Sequence, residues 1–273
     1  PAMLEGCEAV LLERRPRLVL VIGDANTNLA AALAARKLRL GVGHIEAGER
    51  SFDWRMPEEH NRRMIDHISD LLFTTNAKGA AQLRKEQVLG EIHVTGNPIV
   101  DASLRHAEIA AARSDALRRQ GVQGRRYVLM TSHREENVDD AGRLAAILRG
   151  AARVVAELAM PVLLAAHPRT RKRIEQLGLT ALCDPGGGLQ VIDAVRYLDF
   201  LQLLIHAELV LTDSGGVQQE AYIHRRPCVT LRDNTEWTET LATGANRLAG
   251  ADDPARIVAM AREASLLGPL DWP

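Results

Sequence analysis

The stretch "RLVLVIGDANTNLAAALAARKLRLGVGHIEA" (residues 17–47) decides the fold. An apolar run of strand length (17–23), a helix-patterned segment and a second short run (41–47) follow one another, as in a βαβ unit with parallel strands. Leu18 to Ile22 is apolar at every position, so this strand is expected to be covered by helices on both faces. The rhythm repeats outward. Further strands are expected at 70–75, 92–96, 126–132, 161–167, 188–193, 207–213 and 227–233. The class is therefore α/β, organised as two Rossmann-like domains with parallel sheets, 1–98 and 99–273. They are joined near Pro98, where "TGNPIVDA" (95–102) leads into a polar Ala/Arg helix (103–120), and a cleft is expected between the strand ends. "PGGG" (185–188) reads as a flexible loop. The first domain receives about four strands against a mean of roughly 5–6 per sheet. That count leads to the expectation that N-terminal strands are missing, and with "GPLDWP" (268–273) stopping directly after a helix the chain is expected to be a fragment.

Composition narrows the function classes. A formal charge of -1, with Lys and Arg scattered, gives no reason to expect nucleic acid or a membrane surface as partner. Cys7, Cys183 and Cys228 are far apart and outside metal-ligand spacing, which suits a reducing cytoplasm. No apolar run reaches the roughly 18 residues of a membrane span, and the N-terminus lacks a signal-peptide pattern. The expectation is a soluble cytoplasmic protein without a metal.

In an open parallel sheet, ligands bind beyond the carboxyl ends of the strands, and the polar residues collect there. Asp24 and Asn26 follow the first strand, where Asn26 or Thr27 as a helix N-cap is the plain structural alternative. His44 and Glu46 are two apart and should project from one side of a strand. A buried carboxylate there needs partners or work, and an ion pair with Arg50 or Arg55 explains Glu46 as well as a functional role does. Pro57 starts a helix with Glu58 and Glu59 in its first turn. By spacing alone, Glu58–Arg62 and Glu59–Arg63 are helix-stabilising pairs.

Ser132, His133 and Arg134 end another strand as a donor cluster suited to an anion. His167 ends the next, and alone it reads as a satisfied surface residue. "LTDSGGVQQEA" (211–221) is the most telling local pattern. A strand runs into Asp213-Ser214-Gly215-Gly216 and a helix, whose N-terminus offers free N–H groups to phosphate while glycine permits close approach. Glu220 could take ribose hydroxyls; an empty strand–helix turn is the alternative. There is no P-loop and no dinucleotide fingerprint.

In order, "GDANTNLAAALAARKL", "GHIEAGERSFDWRMPEEHNR", "TGNPIVDA", "TSHREEN", "HP", "YLDFLQLL", "TDSGGVQQEA" and "RDNTEWTETLATGANRL" resemble the non-hydrolysing UDP-N-acetylglucosamine 2-epimerases over nearly the whole chain. The resemblance implies a GT-B-type architecture, usually dimeric, with the nucleotide held mainly by the second domain. It implies Asp24, Glu46 and Glu58 as catalytic carboxylates and His133 as an active-site histidine near the diphosphate. Ser214, Gly215 and Gly216 would hold phosphate, Glu220 the ribose and Phe200 the uracil. Arg134 and His167 match positions associated with substrate or a second, regulatory UDP-sugar. The implied reaction expels UDP, leaves 2-acetamidoglucal and re-adds UDP, with no cofactor. Glu49 departs from a usually apolar position. The family's N-terminal Gly-Thr-Arg-Pro-Glu segment and C-terminal helix are absent, so a truncated epimerase with a better-formed second domain is expected. The alternatives are a GT-B glycosyltransferase and a non-catalytic UDP-sugar-binding protein.

Overall fold

A computed structural model of the chain describes residues 1–183 and 185–267; the abrupt "GPLDWP" ending lies outside the described residues. The chain divides into two compact units, residues 1–98 and the portion from Ile99 onward.

The first unit runs α1 (Ala2–Arg14), β1 (Leu18–Ile22), α2 (Asn26–Lys37), β2 (Gly41–Ala47), α3 (Pro57–Ile68), β3 (Leu71–Thr74), α4 (Ala77–Lys85) and β4 (Glu91–Val94). Its strands pair in parallel in the order β1-β2-β3-β4. Val19, Val21 and Val42 point to one face and pack with Leu11, Ala32, Ala35 and Ile65, and Leu72 packs there with Leu83. All four helices therefore pack on this face, α1 only through the half-buried Leu11. The other face carries Leu18, Leu20 and Ile22, of which Leu20 is 52% and Ile22 61% exposed. The expectation of cover on both sides is corrected: among the described residues one face of β1 is packed and the other is bare.

β2 is irregular where it matters. Ile45 pairs with Phe73 and Ala47 with Thr74, so Glu46 is the extra residue of a bulge, and its φ is +73°. That is the left-handed region, costly for a residue with a Cβ. His44 and Glu46 consequently do not continue one strand face, contrary to the period-two reading. Gly48, at φ +85°, follows the bulge, and a Cβ there would lie 2.5 Å from the Gly79 carbonyl oxygen. Only glycine lets α4 come this close.

The second unit continues with α5 (Pro98–Arg113), α6 (Ala116–Arg119), β5 (Val128–Thr131), α7 (Glu135–Val138), α8 (Ala141–Leu158), β6 (Val162–Ala166), α9 (Pro168–Gln176), β7 (Leu189–Asp193), α10 (Tyr197–His206), β8 (Leu209–Thr212), α11 (Gly215–Ile223), β9 (Cys228–Thr230), α12 (Thr238–Ala242), β10 (Asn246–Leu248) and α13 (Pro254–Ser265). The parallel sheet has the order β10-β9-β8-β5-β6-β7. Val128, Met130 and Leu211 meet α8 and α13 on one face, while Leu129, Leu163 and Val210 meet α10 and α11 on the other. This sheet is covered on both sides. Three expectations are revised. The helix read over 103–120 breaks at Ser114, whose hydroxyl donates to Asp199 and accepts from the Ala116 N–H. "PGGG" includes a 3-10 turn at Pro185–Gly187, and β10 is an additional strand. No described helix is long and apolar enough to cross a membrane.

Candidate active site

In the first unit, α3 organises the segments that carry the acidic residues. Arg62 donates to the Asp24 carboxylate from Nε at 3.0 Å and from Nη2 at 2.5 Å. Asn61 donates to the Asp24 carbonyl at 2.8 Å and to the Asn26 side chain at 2.9 Å. The capping role expected of Asn26 or Thr27 does not form: Ala25 occupies the cap of α2, without a side-chain bond.

Beneath Glu46 lies a buried polar pair. His44 and Asp66 are fully buried, with Nδ1 2.7 Å from the carboxylate, and His44 Nε2 lies 3.2 Å from the carbonyl of Gly23. The second oxygen of Asp66 accepts from the Gly48 N–H at 3.2 Å and from Arg50 at 2.7 Å. This pair thus ties the backbone before Asp24 and the backbone after Glu46 to α3, whose first turn holds Glu58. Arg50 pairs with Asp66 and with Glu86 (2.6 Å), and Arg55 with Asp53 (2.7 Å). Burial works to raise the Glu86 pKa, but hydrogen bonds from Arg50 and Gln82 and the charges of Arg50 and Arg63 outweigh it and bring it to about 2.

The two neighbouring glutamates separate. Glu59 is fully buried and accepts from Ser51, Arg62 and Arg63, the last being the expected helical pair at 2.9 Å. Glu58 is half-buried and makes no hydrogen bond or ion pair among the described residues. Arg62, expected against Glu58, turns to Asp24 and Glu59. Glu49 is buried and accepts from the Thr75 hydroxyl, so the charge at this position is structural.

In the second unit, strand order reverses at β5 and β8, since β6 and β7 lie to one side and β9 and β10 to the other. Such a switch point leaves a crevice at the carboxyl ends. Both ends are held by one residue to which no role was assigned from sequence, Asp213. It is fully buried and accepts from the Ser132 hydroxyl (2.9 Å), the His133 N–H (3.1 Å), the Arg134 N–H (3.2 Å) and Asn137 Nδ2 (3.1 Å). Burial pushes its pKa up, but the His133, Asn137 and Ser132 hydrogen bonds and the His133 ring prevail and hold it below the usual carboxylate value. The His133 side chain is 50% exposed with Nδ1 3.3 Å from Asp213, and Arg134 Nε donates to the Asp213 carbonyl at 3.0 Å.

Ser214 caps α11 by accepting from the Val217 N–H at 3.4 Å. A Cβ on Gly215 would lie 3.1 Å from Trp237 Nε1, so this glycine makes room for a buried indole. Glu220 is buried on α11 and accepts from the Tyr197 hydroxyl at 2.6 Å. Phe200 is half-buried and packs on the α10–α11 side of the sheet. His167 is exposed and caps α9, accepting from the Arg169 N–H at 3.3 Å. Asp24 is thus held by α3, Glu58 lies on it and the backbone after Glu46 is tied to it through Asp66, while His133, Arg134 and the start of α11 at Ser214, Gly215 and Gly216 adjoin Asp213. Missed from sequence were Asp213, Asp66, Trp237 and Tyr197. The only local signal was Asp213 directly before Ser-Gly-Gly.

The profile of the family described as UDP-N-acetylglucosamine 2-epimerase matches residues 1–266. A UDP-N-acetylglucosamine 2-epimerase of Methanocaldococcus jannaschii is 45% identical over 251 residues, covering 91% of this chain and 69% of the relative. A UDP-2,3-diacetamido-2,3-dideoxy-D-glucuronate 2-epimerase of Pseudomonas aeruginosa is 44% identical over 252 residues, 91% of this chain and 68% of the relative. The crystal structure of Methanocaldococcus jannaschii UDP-GlcNAc 2-epimerase in complex with UDP-GlcNAc and UDP superposes with a TM-score of 0.91 at 43% identity, covering 99% of this chain and 75% of that one.

Proposed function

The chain belongs to the UDP-N-acetylglucosamine 2-epimerase family, and from that premise we infer that it interconverts UDP-GlcNAc and UDP-ManNAc. The chemistry has to overcome a weakly acidic C2 proton, since no carbonyl adjoins C2 in the ring. Expelling UDP first creates an oxocarbenium-like centre at C1, beside which a positioned carboxylate can remove the C2 proton. The C1–O bond breaks with its electrons leaving on UDP, the C2–H electrons form the C1–C2 double bond, and 2-acetamidoglucal results. Protonation at C2 from the opposite face and return of UDP to C1 complete the inversion. Two faces require acid–base groups on both sides, the role proposed for Asp24, Glu46 and Glu58.

The departing diphosphate requires fixed donors, proposed as His133, Arg134 and the N–H groups of Ser214 to Gly216. Glu220 would take the ribose and Phe200 the uracil, and His167 would face substrate. The observation that supports this reading is the Asp213 cluster, which preorganises these donors at a topological switch point. We further propose a homodimer and a second, activating UDP-sugar contacting Arg134 or His167.

Incubation with UDP-GlcNAc in D2O tests the reading. Deuterium at C2 of recovered UDP-sugar, with free 2-acetamidoglucal, is the expected result. UDP binding without exchange would indicate a binding protein, and transfer to an added acceptor a glycosyltransferase. The 44% identical Pseudomonas aeruginosa relative favours a second substrate, so UDP-2,3-diacetamido-2,3-dideoxy-D-glucuronate belongs in the same assay.

A further inference from the structure

Glu220 is buried, and a buried carboxylate is costly unless hydrogen-bonded. The structure supplies one partner, the Tyr197 hydroxyl, 2.6 Å from Oε1. Oε2 has none among the described residues. The phenol is placed by its surroundings. Tyr197 is the first residue of α10, and His106 of α5 meets its ring edge-on, with centroids 5.4 Å apart and planes at 79°. α5 is in turn joined to the end of α11 by Ser103 Oγ and His224 Nε2 at 2.8 Å. Three helices therefore fix the hydroxyl, the hydroxyl fixes one carboxylate oxygen, and the other oxygen stays open.

We infer that Tyr197 is a positioning residue that makes the site selective for a ribonucleotide, by holding Glu220 so that its open oxygen accepts from the ribose 2′-hydroxyl. The inference rests on the proposed role of Glu220 at the ribose. A rigidly held acceptor is sensitive to loss of the matching donor, because the carboxylate is then left under-solvated. A carboxylate free to swing would find water instead, and the penalty would fade.

The test is calorimetric titration of the full chain with UDP and with 2′-deoxy-UDP. Wild type should prefer UDP by about tenfold or more, the range of a hydrogen bond to a charged group. Tyr197→Phe, which keeps the ring against His106, should weaken UDP alone and shrink the preference to about threefold or less. Glu220→Gln should also shrink the preference, and adding Tyr197→Phe to it should change nothing more. If Tyr197→Phe weakens both nucleotides equally, or neither, the residue only fills space and the inference is overturned. If wild type binds both alike, it is the ribose role of Glu220 that fails. Preference retained in Glu220→Gln would assign ribose reading to another residue and overturn both.

Discussion

Glu46 shows how a single residue can hold strain that its neighbours sustain. Its φ of +73° is kept by the bulge and by Asp66 on the Gly48 N–H, at a cost of order 1 kcal/mol or more. Glu46→Gln should reduce C2 deuterium exchange by ~10²–10⁴-fold with UDP affinity unchanged. Glu46→Gly should be equally inactive yet up to about 1 kcal/mol more stable in urea unfolding; a stability loss would mean the conformation is not strained. Glu86 gives a pH prediction. Its carboxylate titrates near 4.5 when unfolded and at about 2 in the fold, so the unfolded state takes up the proton first. The stability of the Arg50–Glu86 pair is complete above pH 4.5 and drains as pH falls toward 2. Glu86→Gln should flatten that acid limb, and an unchanged limb would refute the assignment. Residue types at strand ends were legible in the sequence because the chemistry is written in short motifs. The His44–Asp66 pair was not, since it joins positions 22 apart that only the tertiary fold brings together.

Among elements, the alternation of strand and helix was legible because apolar runs and helical periodicity differ sharply, and nine of the ten strands among the described residues were anticipated. β10 was not: it is three residues, Asn246–Leu248, with an arginine at its centre, and pairing with β9 rather than its own pattern makes it a strand. The bulge in β2 was hidden for the opposite reason, since an ideal alternation was readable where the register slips. The close approach of α4 to β2 puts a steep demand on Gly48. Gly48→Ala should cost about 2 kcal/mol or more, from a backbone collision and an unfavourable φ together, read as a shift in the urea midpoint. Gly6, which meets nothing within 4 Å, is the control and should tolerate alanine.

At the scale of the molecule, the two sheets differ in how they are clothed, and composition could not reveal it: "LVLVI" reads the same whether one face is bare or none. Leu20 and Ile22 stand open beside an edge of β1 that no described strand pairs, a surface that soluble proteins seldom display. Replacing both with lysine should reduce binding of a hydrophobic dye while shifting the unfolding free energy by no more than about 1 kcal/mol; an intact dye signal would place the exposed surface elsewhere. The same asymmetry reaches into the energetics of opening. A sheet insulated on one side protects its amides less than one insulated on both, so β1 to β4 should exchange hydrogen with solvent well before β5, β6 and β8. Scanning calorimetry should then resolve two endotherms, the earlier one belonging to residues 1–98. The half bearing Asp24, Glu46 and Glu58 would be the first to lose cooperativity on heating, leaving the portion from Ile99 onward still folded.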